Sequence, residues 1–242
     1  MKKIFSYQII KQSFKSVWIW WMLSIVITAI NLFAFPTMEM VENIDMFAIF
    51  AVDGLGTNGI IFITVCAILF SNVFLTSEVD RGTLAIPLNT PTTRLKILLS
   101  KALVYILLLV SICVIVGMLG ALSPVLYDFE FNYSKWWLLI SLWSLYSFSV
   151  GGIAFAIGCW FNKSRYTLGV TATVLGAFFF LNMLAGMENF KFCKYFTLQT
   201  LLDMSAVIKG ESVTLQMIAL AVIAIPFYVI GTIKFLKKDL PL

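Results

Sequence analysis

The stretch ALVYILLLVSICVIVGMLGALSPVLY at residues 102–127 runs for 26 positions without a charged side chain. A hydrocarbon layer about 30 Å thick takes roughly 20 helical residues to cross, and a helix satisfies its own backbone in lipid. Five more charge-free windows lie at 16–38, 54–77, 136–162, 166–187 and 212–233, each 22 to 27 residues long. Over 242 residues, 61% are hydrophobic and 12% charged, with mean hydropathy +0.97. A soluble domain has about 45–50% apolar and about 25% charged residues, so a water-soluble enzyme is excluded. The sequence predicts an all-α membrane protein with six transmembrane helices, at about 17–37, 56–77, 98–126, 136–161, 166–187 and 213–234. With no internal repeat or low-complexity linker, residues 1–242 form a single domain.

Orientation follows from the basic residues, because positive loops stay cytoplasmic. Thirteen of the 17 lie on one side, at Lys2, Lys3, Lys11, Lys15, Arg81, Arg94, Lys96, Lys101, Lys163, Arg165, Lys234, Lys237 and Lys238. Nine of the 12 acidic residues lie on the other, among them Glu39, Glu42, Asp45 and Asp53 in the first outer loop. An even number of spans then leaves both termini cytoplasmic and the first span retained. In residues 4–18, Tyr7, Ile10, Phe14 and Val17 share one helical face, while Gln8, Lys11, Gln12 and Lys15 share another. Two readings fit that pattern: an N-terminal amphipathic interfacial helix, or a plain continuation of the first span. Trp18, Trp20, Trp21, Trp136 and Trp137 suit the headgroup depth that aromatic belts occupy.

Several chemistries are missing. There is no His, hence none of the commonest general base and metal ligand. Cys66, Cys113, Cys159 and Cys193 form no CxxC and read as packing residues. No Gly-Lys pair occurs, so the chain has no P-loop for its own ATP. All 12 carboxylates fall outside the six windows, whereas an ion-driven pump usually keeps one at mid-membrane. Energy for transport is therefore expected from another chain. Gly117, Gly120, Gly151, Gly152, Gly158, Gly169 and Gly176 are expected at close helix contacts.

The informative cytoplasmic segment joins the second and third spans. Gly82 suits the left-handed position that ends a helix. Thr90 before Pro91 is expected to cap the helix that becomes the third span. Between them Leu84, Ile86 and Leu88 face the cytoplasm, either dipping back into the interface or docking a soluble partner. Glu78 either bridges to a basic group such as Arg94 or is catalytic.

Glu78, Gly82-Thr83-Leu84, Thr90-Pro91, Arg94 and Leu98-Leu99-Ser100-Lys101 resemble the signature of ABC-2 type permeases. The ending Phe235, Lys237, Lys238, Asp239 and Leu240 resembles the family's tail, and the likeness covers the whole chain. It implies a transmembrane subunit of an ABC exporter in which two permeases pair above two P-loop ATPase subunits. Gly82, Thr83, Leu84, Ile86, Pro87, Leu88, Asn89 and Thr90 would then form the ATPase-docking coupling helix, supported by Glu78, Arg81 and Arg94. Residues 188–211, with Phe196, Leu198 and Leu201, would match short extracellular re-entrant helices before the last span, and the N-terminal amphipathic helix the family's interfacial one. No cofactor or metal is expected in this chain, since ATP and Mg would be bound by the partner. Pro87 and Ser100 depart from the family pattern; Pro87 removes a backbone donor and would shorten or bend the coupling element.

The function expected is ATP-driven export, from a bacterial cell membrane, of a hydrophobic or amphipathic substrate, small peptides by preference. The other partners expected are a second permease copy or a paralogue, and membrane lipids, with no nucleic acid. Competing readings are an ion-coupled secondary transporter or channel, which would transport alone, and a membrane-embedded enzyme or assembly factor, which would depend on one loop carboxylate.

Overall fold

The computed structural model describes residues 7–38, 46–83, 93–127 and 131–238, and these are helical apart from short turns and connections, without strands. Six helices are long and apolar enough to cross a membrane. They are α1 (Tyr7–Met38), α2 (46–80), α3 (Arg94–Gly120), α4 (Tyr133–Trp160), α5 (Ser164–Ala185) and α6 (Thr214–Lys237). Within α2 the stretches Phe50–Gly59 and Asn72–Ser77 widen into π-helix, a form found mostly as short insertions near functional sites. Asp53, expected in an outer loop, is part of this helix; Glu39, Glu42 and Asp45 lie outside the described residues.

The amphipathic stretch near the N-terminus is continuous with the first span. At 1.5 Å per residue, the 32 residues of α1 reach about 48 Å, longer than the hydrocarbon alone requires. Lys11, Gln12 and Lys15 are exposed, as expected. The buried row is Ile9, Ser13 and Val17, four residues apart, and Phe14 faces outward because the helix packs along α3 on the neighbouring stripe.

The core is built around α4, which touches α2, α3, α5 and α6. Its run Ser149–Ala156 is buried almost without interruption by small residues, and it supplies the large buried rings of Trp136, Trp143, Tyr146 and Phe155. Association inside lipid relies on close packing and interhelical hydrogen bonds, since lipid tails are as apolar as the side chains. Both are present. A Cβ on Gly120 would overlap the Trp136 ring, whose Nε1 donates to the Gly117 carbonyl at 2.8 Å. The Tyr105 hydroxyl of α3 sits 3.2 Å from Ala67 O on α2 and 3.0 Å from Gly151 O on α4. Ser149 donates to Leu220 O at 2.7 Å, fastening α4 to α6. Across that interface Tyr228 stacks on Phe148 with ring centroids 4.8 Å apart.

Two of the seven expected contact glycines behave differently. A Cβ on Gly169 or Gly176 would meet nothing within 4 Å; both are exposed on α5, Gly176 at a groove between α5 and α2. Helix α5 has the smallest buried share of the six, 11% of its most apolar window.

Between α5 and α6 the chain folds into short helices at Glu188–Phe196, Gln199–Leu201 and Met204–Lys209. The last has legible ends: Asp203 accepts from Ala206 N at 3.0 Å, and Gly210 closes it at φ 82°, a conformation glycine adopts without strain. Lys135 at the start of α4 donates to Ile208 O at 2.6 Å, holding the segment against the bundle and its buried Leu198 and Gln199 in place.

Gly120→Ala is expected to lower thermal stability in detergent by about 1–3 kcal/mol, through overpacking against Trp136. Gly176→Ala should leave stability unchanged or raise it by up to about 1 kcal/mol, the helix-propensity gain of alanine where nothing obstructs the Cβ. Fluorescence-detected melting of the two variants checks the contrast.

Candidate functional site

The last turn of α2 ends where the sequence says it should. Arg81 N donates to Ser77 O at 3.0 Å and Gly82 N to Val79 O at 3.1 Å. Gly82 then takes φ 70° and turns the chain away. Thr83 donates from its hydroxyl to Glu78 O at 3.2 Å, closing the turn. Leu84, Ile86, Pro87, Leu88, Asn89 and Thr90 lie outside the described residues. On the return side α3 is capped by Thr93 instead of Thr90: Thr93 is extended at φ −75°, ψ 148°, and its hydroxyl accepts from Lys96 N at 3.3 Å. Capping requires this non-helical geometry with an oxygen aimed at the third amide, and Thr93 has it.

Glu78 and Arg94 are not paired. The Glu78 carboxylate binds the ammonium of Lys101, 2.5 Å away, and the same ammonium donates to Phe74 O at 2.7 Å. Lys101 is 2% exposed. A lysine this deep in a span needs a partner on both electrostatic and hydrogen-bonding grounds; Glu78, one turn after Phe74, supplies the charge. Phe74 lies within the second π stretch of α2, so Lys101 holds α3 against the widened end of α2. Arg94 is exposed and reaches Lys238 O at 3.4 Å, while Arg81 is exposed at the turn. Glu78, Arg81, Gly82 and Thr83 therefore cluster at the end of α2, facing the start of α3.

Two grooves open between the spans. The larger, about 360 Å³, lies among α4, α5 and α6 and is walled by Ile153, Ile157, Trp160, Val170, Phe227 and Ile230; with no polar group on those walls, a lipid chain suits it. The smaller, about 260 Å³, lies between α2 and α5, with Ile61, Val65, Leu175 and Phe179 as apolar walls and Thr64 and Gln199 as polar ones. The Gln199 side-chain oxygen is buried without a hydrogen-bond partner. A mostly apolar wall with a few convergent polar groups is the usual composition of an organic-ligand site.

Thr64 and Gln199 escaped the sequence reading, which took Lys101 as a basic loop residue and part of the family signature but not as the partner of Glu78. Lys101 carried a signal, a lone lysine immediately before 26 uncharged residues. Thr64 and Gln199 carried none, since threonine in a span and glutamine in a loop are ordinary.

The Glu78–Lys101 pair yields a double-mutant test. Glu78→Gln alone should destabilise the protein by about 3 kcal/mol, because an unpaired ammonium stays buried. Glu78→Gln combined with Lys101→Met should recover most of that loss, measured by melting in detergent.

The comparisons with known proteins agree with this architecture. The profile of the ABC-2 family transporter protein matches residues 7–240. No curated protein matches the chain. With the match spanning every described helix, the chain belongs to the ABC-2 family of transporter proteins, multi-pass membrane permease subunits of ABC transporters that associate with ABC ATPase subunits.

Proposed function

We propose that this permease forms, with a second copy or a paralogue, the path of an ATP-driven exporter for hydrophobic or amphipathic substrates, small peptides by preference. Two separate ATPase subunits dock on residues 82–90, with Leu84, Ile86 and Leu88 as the apolar contact, and supply energy through it. ATP and Mg belong to those subunits. The basic bias of the faces carrying Lys11, Lys15, Arg81, Arg94 and Lys163 supports cytoplasmic termini. The helices at 188–211 then return toward the membrane from outside.

The observation that carries this reading is the groove between α2 and α5. It combines apolar walls with Thr64 and the unsatisfied Gln199 oxygen, a lining suited to an apolar molecule bearing amide groups. Its α2 wall continues to the Glu78–Lys101 pair at the foot of the docking segment, so one helix joins the substrate side to the energy side. A carboxylate at mid-membrane would have favoured ion coupling; the ion pair sits instead at the end of the span, where it fixes helices.

Leu84→Asp combined with Ile86→Asp should abolish co-purification of the cognate ATPase while the permease still folds; normal association and export would refute the docking role. In the reconstituted complex, hydrophobic peptides should stimulate ATP hydrolysis, and Gln199→Leu should weaken that stimulation several-fold without altering basal hydrolysis. Equal stimulation by Gln199→Leu would remove the groove from the path.

A further inference from the structure

Both helices that flank the 81–93 segment are attached to the same short turn, the one between α4 and α5. From α2, Asp80 Oδ2 accepts from Ser164 N at 3.0 Å, and Ser164 is the first residue of α5. One turn deeper, the Thr76 and Thr167 hydroxyls meet at 2.9 Å, and Thr76 donates to Gly158 O at 3.0 Å. From α3, Arg94 donates to Lys238 O at 3.4 Å. The Lys238 ammonium in turn donates to Cys159 O at 3.1 Å and Phe161 O at 2.5 Å, the carbonyl end of α4. Anions are favourable at a helix start and cations at a helix end, so the turn is gripped with complementary charge on both sides. Burial lowers the Lys238 amine to about 8, which leaves it protonated and donating at neutral pH.

α5 forms one wall of the groove and buries little of itself in the bundle. Attachments at its first turn therefore weigh heavily in its placement. We propose that Asp80 and Lys238 are positioning residues that transmit displacement of the adjoining ends of α2 and α3 to the α4–α5 turn, and so move α5 against the groove. This rests on the reading that an ATPase docks beside these ends.

The test uses the permease with its cognate ATPase in proteoliposomes. Cys66, Cys113, Cys159 and Cys193 are replaced by Ser, and Gly176→Cys provides a reporter in open space. The rate of maleimide labelling is measured with and without ATP plus vanadate, alongside ATPase binding. ATP plus vanadate is expected to change the rate in the parent. Asp80→Ala, Lys238→Met and Ser164→Pro should each lose that change while the ATPase stays bound, and Asp80→Asn, which keeps an acceptor oxygen, should retain it. Ser164→Pro removes the donated N–H without harming the helix: proline is favoured at the first helical position, and Lys163 at φ −112°, ψ 129° already has the extended backbone required before proline. Intact binding with an unaltered ATP response in all three variants overturns the inference alone, as does a parent that binds but shows no response. A parent that fails to bind the ATPase overturns the docking reading, and the inference with it.

Discussion

In a solvent as apolar as the side chains themselves, helices are held by how closely they fit, and α4 sets that fit here. Its Trp136 ring occupies the space a Cβ on Gly120 would need, and its small-residue run admits α6 on another side. The polar bonds at these contacts, from Trp136 to Gly117, Tyr105 to Gly151 and Ser149 to Leu220, lie at the same places. Each is worth well under about 2 kcal/mol, so their joint effect is to select one register among several close-packed ones. α2 and α5 both pack on α4, and the groove between them takes its shape from that packing.

The six spans were legible because charge is excluded from hydrocarbon over a length fixed by the bilayer. Helix ends were legible where a single residue decides them, as with Gly82. They were less so where neighbours compete: Thr90 and Thr93 are both plausible caps, and only backbone geometry chooses Thr93. The same holds for glycines. Five of the seven meet a neighbour, but sequence cannot show that Gly169 and Gly176 stand where no neighbour comes within 4 Å. Glu78 had several basic candidates nearby in the chain. Arg94 lies two turns earlier on nearly the same face of α3, about 10 Å away along the axis, so Lys101 sits beside Glu78 while Arg94 reaches the tail. Gln199 depends on the fold of an irregular segment, for which no periodicity exists.

The polar chemistry of the described helices is concentrated near one end of the bundle, where α2, α3, the α4–α5 turn and Lys238 converge. Away from that end, hydroxyls such as those of Ser111, Ser147 and Ser149 donate to backbone carbonyls.

Lys101 also bears on how the chain is made. An ammonium one to two turns inside a span resists entry into lipid unless a counter-charge is already there. Glu78 precedes it by 23 residues, so the carboxylate has left the ribosome before the lysine emerges. The second and third spans can therefore leave the insertion machinery together as a neutral hairpin, and an early pause between them would strand the lysine without its partner.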